Sequence, residues 1–121
     1  MSASIFPAAP GGPGNPFLQK VNEQIELHLD EENFWYLELA RALCMSKSQL
    51  NRKIKEATKD KYAMNEYMHC YRLHRAKEML QQGHFNVTQV ALEVGYKSFT
   101  YFIQKFTDLF GDSPSRFYPR P

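Results

Sequence analysis

From about residue 16 almost to the end of this chain, apolar residues recur at spacings of three and four, the period of an amphipathic helix. Leu18, Val21, Ile25 and Leu29 form the first such stripe, and Asn15 before Pro16 supplies an N-cap and a first-turn proline, which predicts a helix over 16–29. A short helix follows over 36–43, with Leu39, Ala40 and Leu43 inward. A break at Cys44 and Met45 then leads to Ser46, three residues before Gln49, the spacing at which the two side chains cap each other's amides. The helix so started spans 47–57 and keeps Leu50 and Ile54 on one face. A longer helix over 65–82 has Met68, Tyr71, Leu73, Ala76 and Leu80 as core positions and stops at Gly83. At 1.5 Å per residue it is about 27 Å long, enough to hold two small units a fixed distance apart.

Beyond Gly83 the earlier pattern returns. Asn86 and Gln89 form another capping pair, and Val90-Ala91, Val94, Gly95-Tyr96, Phe102 and Phe106 answer Leu39-Ala40, Leu43, Cys44-Met45, Leu50 and Ile54. The offset is 51 residues before the turn and 52 after it, so the chain contains a degenerate internal repeat. Each copy is a short helix, a tight turn and a second helix with two apolar anchors four residues apart, the profile of a helix-turn-helix. Residues 1–15, with Pro7, Pro10, Gly11, Gly12, Pro13 and Gly14, read instead as a flexible leader or linker. The organisation expected is a leader at 1–15, a first helix-turn-helix subdomain at 16–62, a connecting helix at 63–83 and a second subdomain at 84–121.

The whole is 121 residues with 43% apolar and 23% charged positions, the composition of an ordinary globular domain. Two cysteines, Cys44 and Cys70, are too few for a disulfide framework, and the chain has neither an 18-residue apolar run nor a signal-peptide pattern. A reducing cytoplasm is the expected setting. Net charge is only +2, but it is unevenly placed: residues 1–46 carry two bases against six acids, residues 47–77 nine bases against three acids, and the remainder balances. That basic block, rather than the total, points to a polyanionic partner, while a solvated helical surface is the alternative for the charges taken alone.

Catalytic and metal chemistry find little support. Cys70 and His74 stand four apart on a helix with His69 adjacent, but a structural zinc site needs four converging ligands, and neither His28 nor His84 has a reason to join them. A Cys–His nucleophile pair lacks a third group and an oxyanion site, and the leader glycines lack the lysine and helix of a phosphate-binding loop. No enzyme activity and no cofactor are expected.

Three runs, Leu39-Ala40-Arg41-Ala42-Leu43-Cys44-Met45-Ser46-Lys47-Ser48-Gln49-Leu50, Tyr71-Arg72-Leu73-His74-Arg75-Ala76 and Val90-Ala91-Leu92-Glu93-Val94-Gly95-Tyr96, together with Tyr101-Phe102 through Phe106 to Phe110-Gly111-Asp112-Ser113-Pro114, carry a clear likeness. Over about 100 residues, from Phe17 to Tyr118, the chain resembles the DNA-binding module of the AraC/XylS family of bacterial transcription regulators. The resemblance implies an all-α fold of about seven helices, two helix-turn-helix subdomains joined by a long central helix, and both second helices able to enter successive major grooves of double-stranded DNA. It also implies a fused sensing or dimerisation domain, as in hybrid two-component regulators, or RNA polymerase as a further partner. The site of action would be the bacterial nucleoid, with neither a membrane nor a small-molecule ligand bound by this fragment.

The site residues follow from chemistry and from the match. Arg52 suits a guanine edge, and Gln49, Asn51 and Gln104 suit adenine. Lys47, Lys55, Lys97 and Lys105, with Ser46, Ser48, Ser98 and Thr100, suit phosphates or mixed contacts. Tyr101 either contacts the backbone or completes the core. The second reading helix departs from the family: Phe99 and Ile103 stand where many relatives are polar, and Gln104 where arginine is frequent. The first unit would then supply more electrostatic affinity, with Phe99 touching a thymine methyl or packing inward.

Trp35 holds the position that Asn86 holds as a cap in the second copy; with Leu37 it forms either a cover for the core or an apolar patch for a partner domain. Ser113-Pro114 has no counterpart at Ala63-Met64, and Cys44 stands where Gly95 makes the tight turn. The competing function is a helical protein-interaction module using Trp35, Phe99 and Tyr101, separable from DNA binding by its weak response to salt.

Overall fold

The computed structural model describes residues 15–119. Among them are six α-helices, α1 (Pro16–Leu27), α2 (Tyr36–Ala42), α3 (Lys47–Ala57), α4 (Met64–Gln82), α5 (Val87–Glu93) and α6 (Phe99–Phe110), and a closing 3-10 turn, Pro114–Phe117. No strand occurs among the described residues, so the fold is all-α as expected. The expected leader, apart from Asn15, lies outside the described residues. Asn15 is the N-cap of α1, its Oδ1 accepting the Leu18 amide at 2.9 Å. α1 ends two residues before the predicted limit, yet Leu29 stays buried on the turn that follows.

The two helix-turn-helix turns are built alike. After α2 the Cys44 amide donates to the Arg41 carbonyl and the Met45 amide to Ala40; after α5 the Gly95 amide donates to Leu92 and Tyr96 to Ala91. This paired pattern closes a helix when one residue enters the left-handed region, as Cys44 does at φ 59° and Gly95 at φ 86°. The caps of the next helices also match: Ser46 Oγ accepts the Gln49 amide and Ser98 Oγ the Tyr101 amide, each at 3.1 Å. Leu50 and Ile54 on α3, and Phe102 and Phe106 on α6, are fully buried at the equivalent positions.

α4 packs against every other helix and the closing turn, and the buried side chains of both units merge along it into one cluster. Its start differs from expectation in mechanism rather than place. No Ser-Pro pair is present; instead Glu66 Oε1 accepts the Ala63 amide and Asn51 Oδ1, reaching from α3, accepts the Met64 amide, both at 3.0 Å. α1 is clasped to α4 by the Tyr67 hydroxyl donating to Asn22 and by Glu26, which accepts from the Tyr71 hydroxyl at 2.7 Å and from Arg75 Nε at 2.9 Å. Burial would raise the Glu26 carboxyl, but these bonds outweigh it and hold the group below its usual value.

Arg72 is fully buried at the centre of the fold. Its Nη1 donates to the carbonyls of Leu29 and Val94 at 2.5 and 2.7 Å, and its Nη2 to that of Phe34 at 2.5 Å. The guanidinium carbon lies 4.4 Å from the centroid of Trp35. Leu29 and Phe34 belong to the α1–α2 connection and Val94 to the turn of the second unit, so one cation ties the two units together. Trp35 is therefore a half-buried cover for this centre: its indole N–H donates to the Glu32 carbonyl, its ring also meets His69 at 4.7 Å, and Glu38 caps its amide in place of a side-chain N-cap.

Gly95 is required twice over: φ is 86°, and a Cβ there would come 1.8 Å from Arg72 Nη1 and 2.7 Å from the Leu29 carbonyl. Gly95→Ala is accordingly expected to cost about 2–5 kcal/mol, from left-handed strain plus overpacking. Cys44→Gly, at the same turn of the first unit where the residue is exposed, should be neutral or stabilising by up to about 1 kcal/mol. Chemical denaturation of the two variants checks the opposite signs.

His69 shares a 2.7 Å hydrogen bond with the Tyr96 hydroxyl, and burial, with Lys105 and Arg72 nearby, pushes its pKa down to about 4. The unfolded imidazole takes up a proton below about pH 6.5, the native one only near pH 4, so unfolding binds a proton throughout that window. Stability should fall as pH drops from 6.5 to 4, by about 1.4 kcal/mol per unit for one such group. Unfolding titrations should show a shallower slope for His69→Gln, with His74, lowered by burial and by Lys77, and, at the acid end, Glu26, held low by Arg75 and Tyr71, contributing in both proteins.

Candidate nucleic-acid interface

At 100° per residue, burial of Leu50 and Ile54 turns Ser48 and Arg52 to the opposite face of α3, with Gln49 and Lys55 beside them. All four are exposed, as are Ser46 and Lys47. Arg52 makes one loose contact, 3.8 Å to Glu56, with both side chains more than half exposed. Such a pair contributes little to stability and leaves the guanidinium available. Gln49 is partly engaged, its Oε1 accepting the Ser46 amide at 3.0 Å.

Asn51 is engaged as well, and with a more distant amide. Its carbonyl oxygen caps α4 at Met64 and its side chain is half-buried, so the paired acceptor and donor that adenine needs are not both free. Asn51 thus has a structural role, the cap on α4. It escaped the sequence reading because the amide it serves is 13 residues away.

On α6, buried Phe102 and Phe106 turn Thr100 and Gln104 outward, and Lys97, Ser98 and Tyr101 are exposed as well. Lys105 is half-buried; its ammonium lies 5.9 Å from the Tyr101 ring and lines a groove against α4 with Glu66, His69 and Cys70. Tyr101 is 45% exposed, its ring 5.9 Å from His69 and 6.2 Å from Tyr96. Phe99, the first residue of α6, is 43% exposed rather than packed inward.

The basic block is narrower than the charge count suggests. Arg72 is buried, Arg75 is held by Glu26 and Glu78, and Lys77 lies 5.0 and 5.3 Å from the rings of Phe110 and Phe117. The exposed cations of this block are Lys47, Arg52, Lys53, Lys55, Lys59 and Lys61, all on α3 or the loop after it. No group of three or more His, Cys, Asp or Glu able to hold a metal occurs among the described residues. Burial raises the Cys70 thiol to about 11, which leaves it protonated. No described helix is long and apolar enough to cross a membrane.

Two capped helices, each exposing a polar face from a duplicated unit fixed on one central helix, define a paired helix-turn-helix module. Residues 39–120 match the family model described as a helix-turn-helix domain. Over 103 residues, 85% of this chain, 32% are identical to the histidine kinase P4 of Formosa agariphila, and over 101 residues, 79% of the chain, 34% are identical to the HTH-type transcriptional regulator AlkR of Acinetobacter baylyi. The chain spans 7% of the length of the first and 31% of the second. A transcriptional regulator from Chromobacterium violaceum described as containing an AraC-type DNA-binding domain superposes with a TM-score of 0.72 at 24% identity, covering 84% of this chain and 88% of that one. The chain belongs to the AraC/XylS family of helix-turn-helix proteins.

Asn51→Ala should lower stability by about 0.5–2 kcal/mol through the lost cap on α4 and leave the base preference of the folded protein unchanged. Arg52→Ala should stay within about 0.5 kcal/mol of the wild type in stability while altering binding. Denaturation curves beside binding-site logos for the two variants separate the structural residue from the reading one.

Proposed function

We propose that this chain binds double-stranded DNA sequence-specifically to regulate transcription, with α3 and α6 reading successive major grooves. The observation that carries the reading is the duplicated unit: each copy presents a capped second helix whose buried anchors leave a polar face exposed, and α3 adds the dense exposed cations. An α-helix fits the major groove, and successive grooves lie about 34–36 Å apart. α4, with 19 residues, is about 28 Å long, and the widths of the flanking helices bring the separation into that range.

The residues divide by chemistry. Arg52 gives paired hydrogen bonds to guanine and Gln104 serves adenine, while Gln49 does so only when its Oε1 leaves the Ser46 amide. Lys47, Lys55 and Lys97, with Ser46 and Ser98, meet phosphates, Ser48 and Thr100 make mixed contacts, and Tyr101 closes the aromatic cluster while keeping an exposed edge toward the backbone. Lys105 reaches phosphate only from the α4 side, which gives it a smaller share. The module has no chemistry of its own. Its partial span of its relatives supports a role as the output module of a longer bacterial regulator, fused to a sensing or dimerising domain and acting with RNA polymerase on the nucleoid. The protein-interaction alternative is weakened by Trp35, which is half-buried and stacks on Arg72 as a cover for the core.

Selection from a random double-stranded pool, followed by footprinting at two salt concentrations, tests this. Two protected blocks about one helical turn apart are expected, with affinity falling steeply as salt rises. Lys55→Ala should weaken all sequences alike and flatten the salt slope by about one unit, while Arg52→Ala should cost about 1–3 kcal/mol and relax preference at one position. No enrichment, with salt-insensitive binding, would overturn DNA recognition in favour of a protein partner.

A further inference from the structure

The two reading helices are not chemically equivalent. The exposed outer face of α3 centres on Arg52 and Lys55. On α6 the corresponding face carries Thr100 and Gln104, both uncharged, and the one cation of that helix, Lys105, is half-buried against α4. The first turn of α6, the part of a reading helix that approaches base edges, begins with Phe99, a large apolar side chain left 43% exposed. Exposing a phenyl ring at this position forgoes burial that a core residue would gain, and the adjacent Thr100 adds a second methyl-bearing side chain to the same turn.

Resting on the proposed reading of successive grooves, we infer that the second unit recognises its half-site through the 5-methyl groups of thymine, contacted by Phe99 with Thr100 beside it. The major groove presents an apolar group only at thymine, and a phenyl ring or a threonine methyl is a suitable partner for it. Gln104, one turn further on and exposed, supplies the paired hydrogen bonds suited to adenine. The second half-site is therefore A·T-rich and read mainly by apolar contact and neutral hydrogen bonds, whereas the first is read through a guanine and held by phosphates. Salt weakens the two halves unequally for the same reason.

The test uses the selected operator with deoxyuridine replacing thymidine one position at a time, which removes the methyl and leaves every hydrogen-bonding edge intact. Loss of about fourfold in affinity per contacted methyl is expected at one or two positions of the second half-site, and none in the first. Phe99→Ala should bring the dT to dU ratio at those positions to about one, and Phe99→Leu should keep part of it. Melting curves establish that both variants are folded. A second half-site that is footprinted yet indifferent to deoxyuridine, or a Phe99→Ala protein that retains the discrimination, overturns this inference alone. Absence of the second footprint overturns the paired-groove reading together with it.

Discussion

A single buried cation, Arg72, sets the geometry on which the rest of this fold depends. Taking a guanidinium out of water is costly unless its donors are matched, and here three carbonyls from two separated segments, the α1–α2 connection and the turn after α5, supply the match. Burial still lowers the Arg72 pKa to about 10, far above neutrality, so the charge persists and holds its acceptors. Nε is left without a partner in this arrangement, and stacking of Trp35 over the guanidinium covers the group from one side. Neither unit could shift relative to the other without stranding this charge.

That constraint explains other features of the chain. The second turn needs glycine because Arg72 occupies the space a Cβ would take, whereas the first turn, remote from it, tolerates Cys44 at a similar backbone angle. His69 is held neutral in part because Arg72 and Lys105 lie close, and its bond to Tyr96 continues the aromatic layer that runs from Trp35 to Tyr101. Asn51 makes a second link, joining α3 directly to the start of α4. α3 is thus braced by the same central helix that Arg72 anchors.

The duplicated units have kept a common frame and diverged in surface chemistry. Both retain the turn, the serine cap and the two buried anchors, because those features set the orientation of the second helix. Their exposed positions carry no packing constraint, so one unit concentrates lysine and arginine while the other presents Phe99, Thr100 and Gln104. On the reading proposed above, such a division separates affinity, supplied largely by charge, from the discrimination of bases by shape and methyl contact.

Much of this was legible in the residues alone, and the range of each interaction marks where legibility ended. Helix positions, the Ser46–Gln49 and Asn86–Gln89 caps, the turn at Gly95 and the internal repeat all rest on contacts three to five residues apart, which spacing and residue type declare directly. Exposure of Arg52 and Lys55 followed as well, since a helical period with known anchors fixes the opposite face. For Trp35 the sequence offered both a cover for the core and a surface patch, and the rings brought around it decide for the cover. Arg72 and Asn51 were different. Each has a side chain typical of a surface or reading residue, and its role came from partners 13 to 43 residues away. Sequence by itself therefore determined the helices, their caps and the doubled architecture, because those are local; only the tertiary structure decided which polar side chains hold the two units together and which remain free to meet DNA, because that depends on which distant backbone carbonyls and amides the fold leaves in need of a partner.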